Sequence, residues 1–218
     1  MYRTLPRISS GVPGLDTLFE GGIVESPMYL VLGEPGTGKT LLGMTFLKEG
    51  LANGEDVLFI HGEEAKKDML LNGAAVGIDL DSAEDELLLE DIDHRGTELV
   101  AVDGTEGYQI SLQGDQGDVI RSLHALSRHL TARNVTVVVI DQSDQSAGLR
   151  TPTQKNFSYL VGNVVALNDI EREGHKERIA SVMKKRIGDH EETARPYTLR
   201  KDGVEMHEPE RATEGFLT

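Results

Sequence analysis

The run Gly33-Glu34-Pro35-Gly36-Thr37-Gly38-Lys39-Thr40 follows the spacing G-x-x-x-x-G-K-[ST], the pattern of a loop that wraps phosphate groups. Glycines at 36 and 38 let the backbone turn so that successive N–H groups converge on one concavity. Lys39 then reaches the β- and γ-phosphates, and the Thr40 hydroxyl is a ligand for Mg²⁺. A helix that starts here adds the positive end of its dipole beneath the phosphates. The chemistry implied is binding of a nucleoside triphosphate with magnesium, and Gly36, Thr37, Gly38, Lys39, Thr40 and Leu41 are the residues expected around it.

Such a loop needs a strand before it and a helix after it, and the sequence supplies both. Residues 28–32 are an unbroken apolar run that reads as a buried strand, while Leu42, Phe46 and Leu47 keep helical spacing up to Gly50, where the helix is expected to stop. Further strands are expected at 56–61, 99–103, 135–141, 164–167 and 179–183, and helices at 65–75 and 118–132. Asp202-Gly203 looks like the turn of a closing β-hairpin. Strands that alternate with helices give an α/β fold, a mainly parallel twisted sheet flanked by helices. No period of 20–50 residues repeats. The length suits one domain over 1–208 and a loose acidic tail over 209–218.

The formal charge is −15, from 37 acidic against 22 basic residues, and only 9 of the basic ones are lysine. An acidic, lysine-poor surface keeps a chain in solution and repels nucleic acid at ordinary salt. Molar salt shortens that repulsion to a few Å, so in a salty cytoplasm the charge argues less strongly. Cysteine is absent, which removes disulfides, thiolate nucleophiles and zinc-thiolate sites. The seven histidines have no metal-ligand spacing. No segment approaches the ~18 apolar residues of a membrane span, and the expected location is the cytoplasm.

Four segments, in order, resemble the KaiC-like branch of the RecA superfamily in its single-domain form. Ser10-Gly11-Val12-Pro13-Gly14-Leu15-Asp16 with Gly21-Gly22-Ile23 is similar to the stretch that precedes the phosphate loop in that family. The phosphate loop itself follows. Glu63-Glu64 resembles the paired glutamates that orient and activate the attacking water, and a carboxylate near a γ-phosphate can accept that water's proton. Lys184-Lys185-Arg186-Ile187-Gly188-Asp189-His190 resembles the Lys-x-Arg motif with which one KaiC subunit reaches the nucleotide of its neighbour, so Lys184 and Arg186 are expected to act in trans. The composition is also similar to that of salt-adapted, haloarchaeal cytoplasmic proteins.

The resemblance implies a RecA-fold, magnesium-dependent ATPase that uses ATP and Mg²⁺, assembles with itself into a ring, a hexamer, and signals its nucleotide state to a protein partner the sequence does not name. Two acidic strand ends, Asp103 and Asp141, compete for the role of magnesium-binding aspartate. Asp103 is preferred, because a helix at 118–132 and a strand at 135–141 then follow in the family's order. Gly104-Thr105 departs from the serine usual after that aspartate, and Ile187 stands where the family has a small residue, so slow hydrolysis is expected. A recombinase-like DNA-binding ATPase is the alternative of another class, yet its channel loop, 144–156, has only Arg150 and Lys155 to offer DNA. A nucleotide-sensing interaction module that does not hydrolyse is the third. Salt decides one consequence of the charge directly. At −15 the surface repels itself, so the melting temperature should rise from low to molar KCl as the screening length falls from ~10 Å to ~3 Å; a flat or falling melting curve series would contradict this.

Overall fold

A computed structural model describes residues 6–25, 28–61, 71, 73–74, 77–78, 96–104, 125–126, 128–143, 161–172 and 174–209. In chain order the elements are β1 (Arg7–Ile8), α1 (Pro13–Leu18), β2 (Ile23–Val24), β3 (Met28–Gly33), α2 (Lys39–Ala52), β4 (Val57–His61), β5 (Leu99–Asp103), β6 (Thr136–Gln142), β7 (Asn163–Arg172), β8 (His175–Lys185), β9 (Arg195–Arg200) and β10 (Gly203–Met206). The described residues of the two further expected helices, 71 and 73–74 in one, 125–126 and 128–131 in the other, are helical. Glu63, Glu64, the loop 144–156 and the tail from 210 lie outside the described residues.

Eight strands form one sheet in the order β10-β9-β8-β7-β3-β6-β5-β4. The five from β4 to β7 run parallel, and β8, β9 and β10 close the sheet with antiparallel pairings. This mainly parallel order with helical crossovers is the RecA-like phosphate-loop fold, and β9–β10 is its closing hairpin. The two-residue turn of that hairpin is Lys201-Asp202, one position before the Asp202-Gly203 turn expected, because Gly203 already pairs with Arg200. A separate two-stranded ribbon joins β1 to β2.

The centre of the sheet is buried on both faces, which is why β3, β5 and β6 read as continuous apolar runs. Alternate residues serve opposite cores. Tyr29 and Val31 of β3, Ala101 of β5 and Val138 and Ile140 of β6 pack with Leu42, Met44, Phe46 and Leu47 of α2. Leu30 and Leu32, Val100 and Val102, and Val137 and Val139 pack on the other side with Leu130. Among the described residues no helix is long and apolar enough to cross a membrane.

Helix α2 runs past Gly50, which corrects the expected stop. It ends at Asn53, whose N–H donates to Glu49 O and Gly50 O, and Gly54 follows at φ +84°. Gly50 belongs to the packing: a Cβ there would lie 2.2 Å from Leu99 Cδ1, and one on Gly43, two turns earlier on the same face, 2.7 Å from Ile140 Cδ1. The two glycines let the helix that carries Lys39 and Thr40 lie close on the sheet.

The electrostatic self-repulsion inferred from composition has a local counterpart. Burial, then the charges of Glu98, Glu25 and Glu49, hold Glu55 above the usual carboxylate range.

The first glycine of the phosphate loop is fixed by its neighbours. Gly33 pairs with Leu167 of β7 and Gln142 of β6, and a Cβ on it would lie 2.5 Å from Leu167 O and 2.6 Å from Thr37 Oγ1. Backbone cannot yield as a side-chain tip does. Gly33→Ala is therefore expected to destabilise the fold by about 2 kcal/mol, read as a melting temperature lower by roughly 4–8 °C.

Candidate functional site

The loop between β3 and α2 is built around one carbonyl. Glu34 O accepts from Thr37 N at 3.3 Å, Thr37 Oγ1 at 2.8 Å and Lys39 Nζ at 2.9 Å. The Thr37 hydroxyl is thus spent inside the loop, and Thr37 is fully buried. Gly36 and Gly38 stand at φ +81° and +89°, the left-handed region that glycine enters without strain. Gly38 is the N-cap of α2 and provides no side-chain cap, while Leu42 N donates to Gly38 O as the helix begins. The first N–H groups of a helix have no acceptor within it. A turn of two left-handed glycines that opens such a helix is suited to anionic oxygens, and a Cβ on Gly36 would meet nothing within 4 Å.

Thr40 and Asp103 come together. The Thr40 hydroxyl donates to Asp103 Oδ2 at 2.5 Å across 63 residues of sequence. The alternation of the sheet explains the meeting. Leu99 and Ala101 of β5 face α2, so Asp103 stands on that face too, whereas Val137 and Val139 of β6 face the opposite core and set Asp141 on their side. Both aspartates are buried, at 9% and 3% exposure, yet only one is on the side of the helix that begins at Lys39. A hydroxyl and a carboxylate, both oxygen donors, are the chemistry a hard Mg²⁺ ion requires, so the residues present fit the ion. His61 ends β4 beside Asp103, two residues before Glu63.

Lys184 and Arg186 are not brought to this loop. The loop leaves β3 at Gly33, level with Leu167 of β7, whereas Lys184 lies beside Val164, three residues nearer the start of β7 and so ~10 Å away along the strands. Lys184 Nζ donates to Val161 O at 2.9 Å, and Arg186 is exposed beyond the end of β8. The pairing shifts register between Val164 and Val165, which leaves Met183 as the extra residue of a bulge next to Lys184. Lys185, between the two cations, turns to α1: its ammonium donates to Phe19 O at 2.8 Å and to Asp189 O, and burial and then Arg7 push its pKa down. Exposed Ile187 at 49% and Met183 at 38% flank this segment.

Two residues that no motif singles out also touch the loop. Tyr197 of β9 donates its phenol to Thr37 O at 2.7 Å, and Leu199 packs on Gly38. Their only sequence signal is period-2 alternation along 195–200, which marks a common face without saying what lies against it.

A family model described as "ATPase: KaiC" matches residues 8–106 and 88–211. The chain is 27% identical to the circadian clock oscillator protein KaiC of Picosynechococcus sp., over 97% of this chain and 45% of that protein. Identity to KaiC of Thermostichus vulcanus and to KaiC 1 of Synechocystis sp. is also 27%, over 97% of this chain and 44% of each of those proteins. The chain therefore spans less than half the length of these relatives.

Asp103→Asn is expected to weaken Mg²⁺-dependent nucleotide binding or turnover by about 10- to 100-fold, the scale on which metal sites respond to such losses. Asp141→Asn should have a far smaller effect. Titration of Mg²⁺ into both variants at fixed ATP checks this, and an inactive Asp141 variant beside an unimpaired Asp103 variant would reverse the assignment.

Proposed function

Because this chain belongs to the KaiC ATPase family, we propose that it binds MgATP at a subunit boundary, hydrolyses it slowly and signals its nucleotide state through assembly or contact with a protein partner. The Thr40–Asp103 contact carries this reading, since it sets a magnesium-type oxygen pair at the first turn of the phosphate-loop helix. When bound, Mg²⁺ offsets charge on the β- and γ-phosphates.

The residues divide the work. Lys39 compensates phosphate charge, and the N–H groups around Gly36, Gly38, Lys39 and Thr40 hold the phosphate oxygens. Glu63, with Glu64, orients a water and accepts its proton as it attacks the terminal phosphorus, and the bond to the ADP oxygen breaks. Lys184 and Arg186 of the neighbouring subunit stabilise the negative charge that develops on the transferred group. Their position near the start of β7, with Arg186 exposed, supports action on a neighbour rather than on the chain's own Lys39. A head-to-tail contact of this kind repeats until a ring closes, and a hexamer is the ring proposed. Gly104, at φ +86° directly after Asp103, and Ile187 beside Arg186 support a low rate. The domain is assigned to 1–208, its setting to the cytoplasm, and the acidic surface to a salt-rich host.

Lys39→Ala should abolish most binding or turnover, and Arg186→Ala should lower turnover by the ~10³-fold that a finger in trans supplies at the low end. Mixing the two inactive variants should partly restore activity, because some boundaries then join an intact Lys39 to an intact Arg186. No recovery despite demonstrated subunit exchange rejects the trans arrangement. Folded wild-type protein without ATP binding by calorimetry in adequate salt rejects the function, and turnover that depends on single-stranded DNA moves it to the recombinase class.

A further inference from the structure

The closing hairpin touches the phosphate loop at Thr37 and Gly38. Tyr197, 3% exposed, donates to the carbonyl of the fully buried Thr37 at 2.7 Å. Leu199, two residues on and so on the same face, lies against Gly38 so closely that a Cβ there would be 2.4 Å from Leu199 Cδ2. We propose that Tyr197 is a positioning residue for nucleotide binding, which aims the Gly38 N–H at the phosphates by holding the carbonyl at the other end of the same peptide unit. This rests on the loop being the ATP site.

The physical reason is the planarity of the peptide bond. In a trans peptide the C=O of Thr37 and the N–H of Gly38 lie in one plane and point in opposite directions, so whatever fixes one fixes the other. Left alone, that plane is easily turned. Its rotation needs a paired change at Thr37 ψ and Gly38 φ, and glycine tolerates the new φ where a residue with a Cβ would not. The permissive glycine that makes the loop possible therefore also makes it prone to flip. A buried hydroxyl on the Thr37 carbonyl opposes the flip, because a turned peptide would leave both groups without that bond. Leu199 adds a steric wall beside the same residue. Burial, followed by the nearby charge of Asp169, pushes the Tyr197 phenol up, so it stays protonated and able to donate.

Tyr197→Phe keeps the ring and removes only the donor. It should weaken MgATP binding by about 5- to 30-fold, the scale of leaving one buried acceptor without its donor, measured by calorimetry on the full chain at high salt. Tyr29→Phe is the matched control. Its phenol is equally buried at 3% and touches Val24 N at 2.6 Å and Val24 O at 3.1 Å, but it lies at the start of β3, away from the loop. That variant should lose thermal stability and keep MgATP affinity within about twofold of wild type. A second readout needs no nucleotide: in Tyr197→Phe the NMR signal of the Thr37 carbonyl carbon should shift and the Gly38 amide should broaden, and in Tyr29→Phe neither should change. Wild-type affinity in the Tyr197 variant, or equal losses in both tyrosine variants, would overturn the proposal. Should the wild-type chain bind no MgATP, the proposed function falls, and an unchanged Thr37–Gly38 signal in Tyr197→Phe would still overturn the positioning role.

Discussion

A backbone turn that exposes N–H groups to an anion must itself be held by something other than the anion, and in this chain the holding is done by β3 and its neighbours. The strand is paired on both edges, with β6 and β7, and all six of its residues are buried. At its end Gly33 O accepts from Ser143 N as β6 runs out, and Gly33 itself lies against Leu167 O with no room for a side chain. From that fixed point the chain turns through Gly36 and Gly38 into α2, which is pressed to the sheet at Gly43 and Gly50. Each contact removes a way for the loop to relax, so the entropic cost of a glycine-rich turn is met by its surroundings.

The same architecture sorts the acidic groups. Period-2 alternation gives successive strand residues to opposite cores, and so two aspartates that end similar apolar strands face different partners. Asp103 meets the Thr40 hydroxyl, and Asp141 is on the side of Leu130. Burying carboxylates is costly unless something compensates their charge, which is one reason the proposed Mg²⁺ would suit the place next to Asp103. At the surface, acidic neighbours repel one another, as Glu55 and the glutamates around it do.

A parallel sheet has two unlike ends. The phosphate loop leaves the carboxyl end of β3, and the Lys184–Arg186 segment lies near the start of β7, so one chain keeps the two apart, as the proposed action on a neighbour would require. Lys185 ties this second segment to the carbonyl of Phe19, which also accepts from Arg7, and Arg7 donates in addition to Gly22 O. The segment similar to the family's amino-terminal stretch is thus joined to the one similar to its Lys-x-Arg motif.

What the sequence determined by itself is local. The G-x-x-x-x-G-K-[ST] spacing, the apolar runs of the central strands and the alternation of strand with helix are statements about neighbours along the chain, and they sufficed for the fold class and the phosphate loop. Tertiary structure decided what depends on approach between distant segments. Gly50 looked like a helix stop because a glycine's role cannot be told from its neighbours, and only the nearness of Leu99 makes it a packing residue. Element order along the chain favoured Asp103 over Asp141, but which core each aspartate faces, that of α2 or that of Leu130, depends on the assembled sheet. Tyr197 is separated from Thr37 by 160 residues, and no spacing encodes a contact that exists only because β8 and β9 bring the end of the sheet back to the loop.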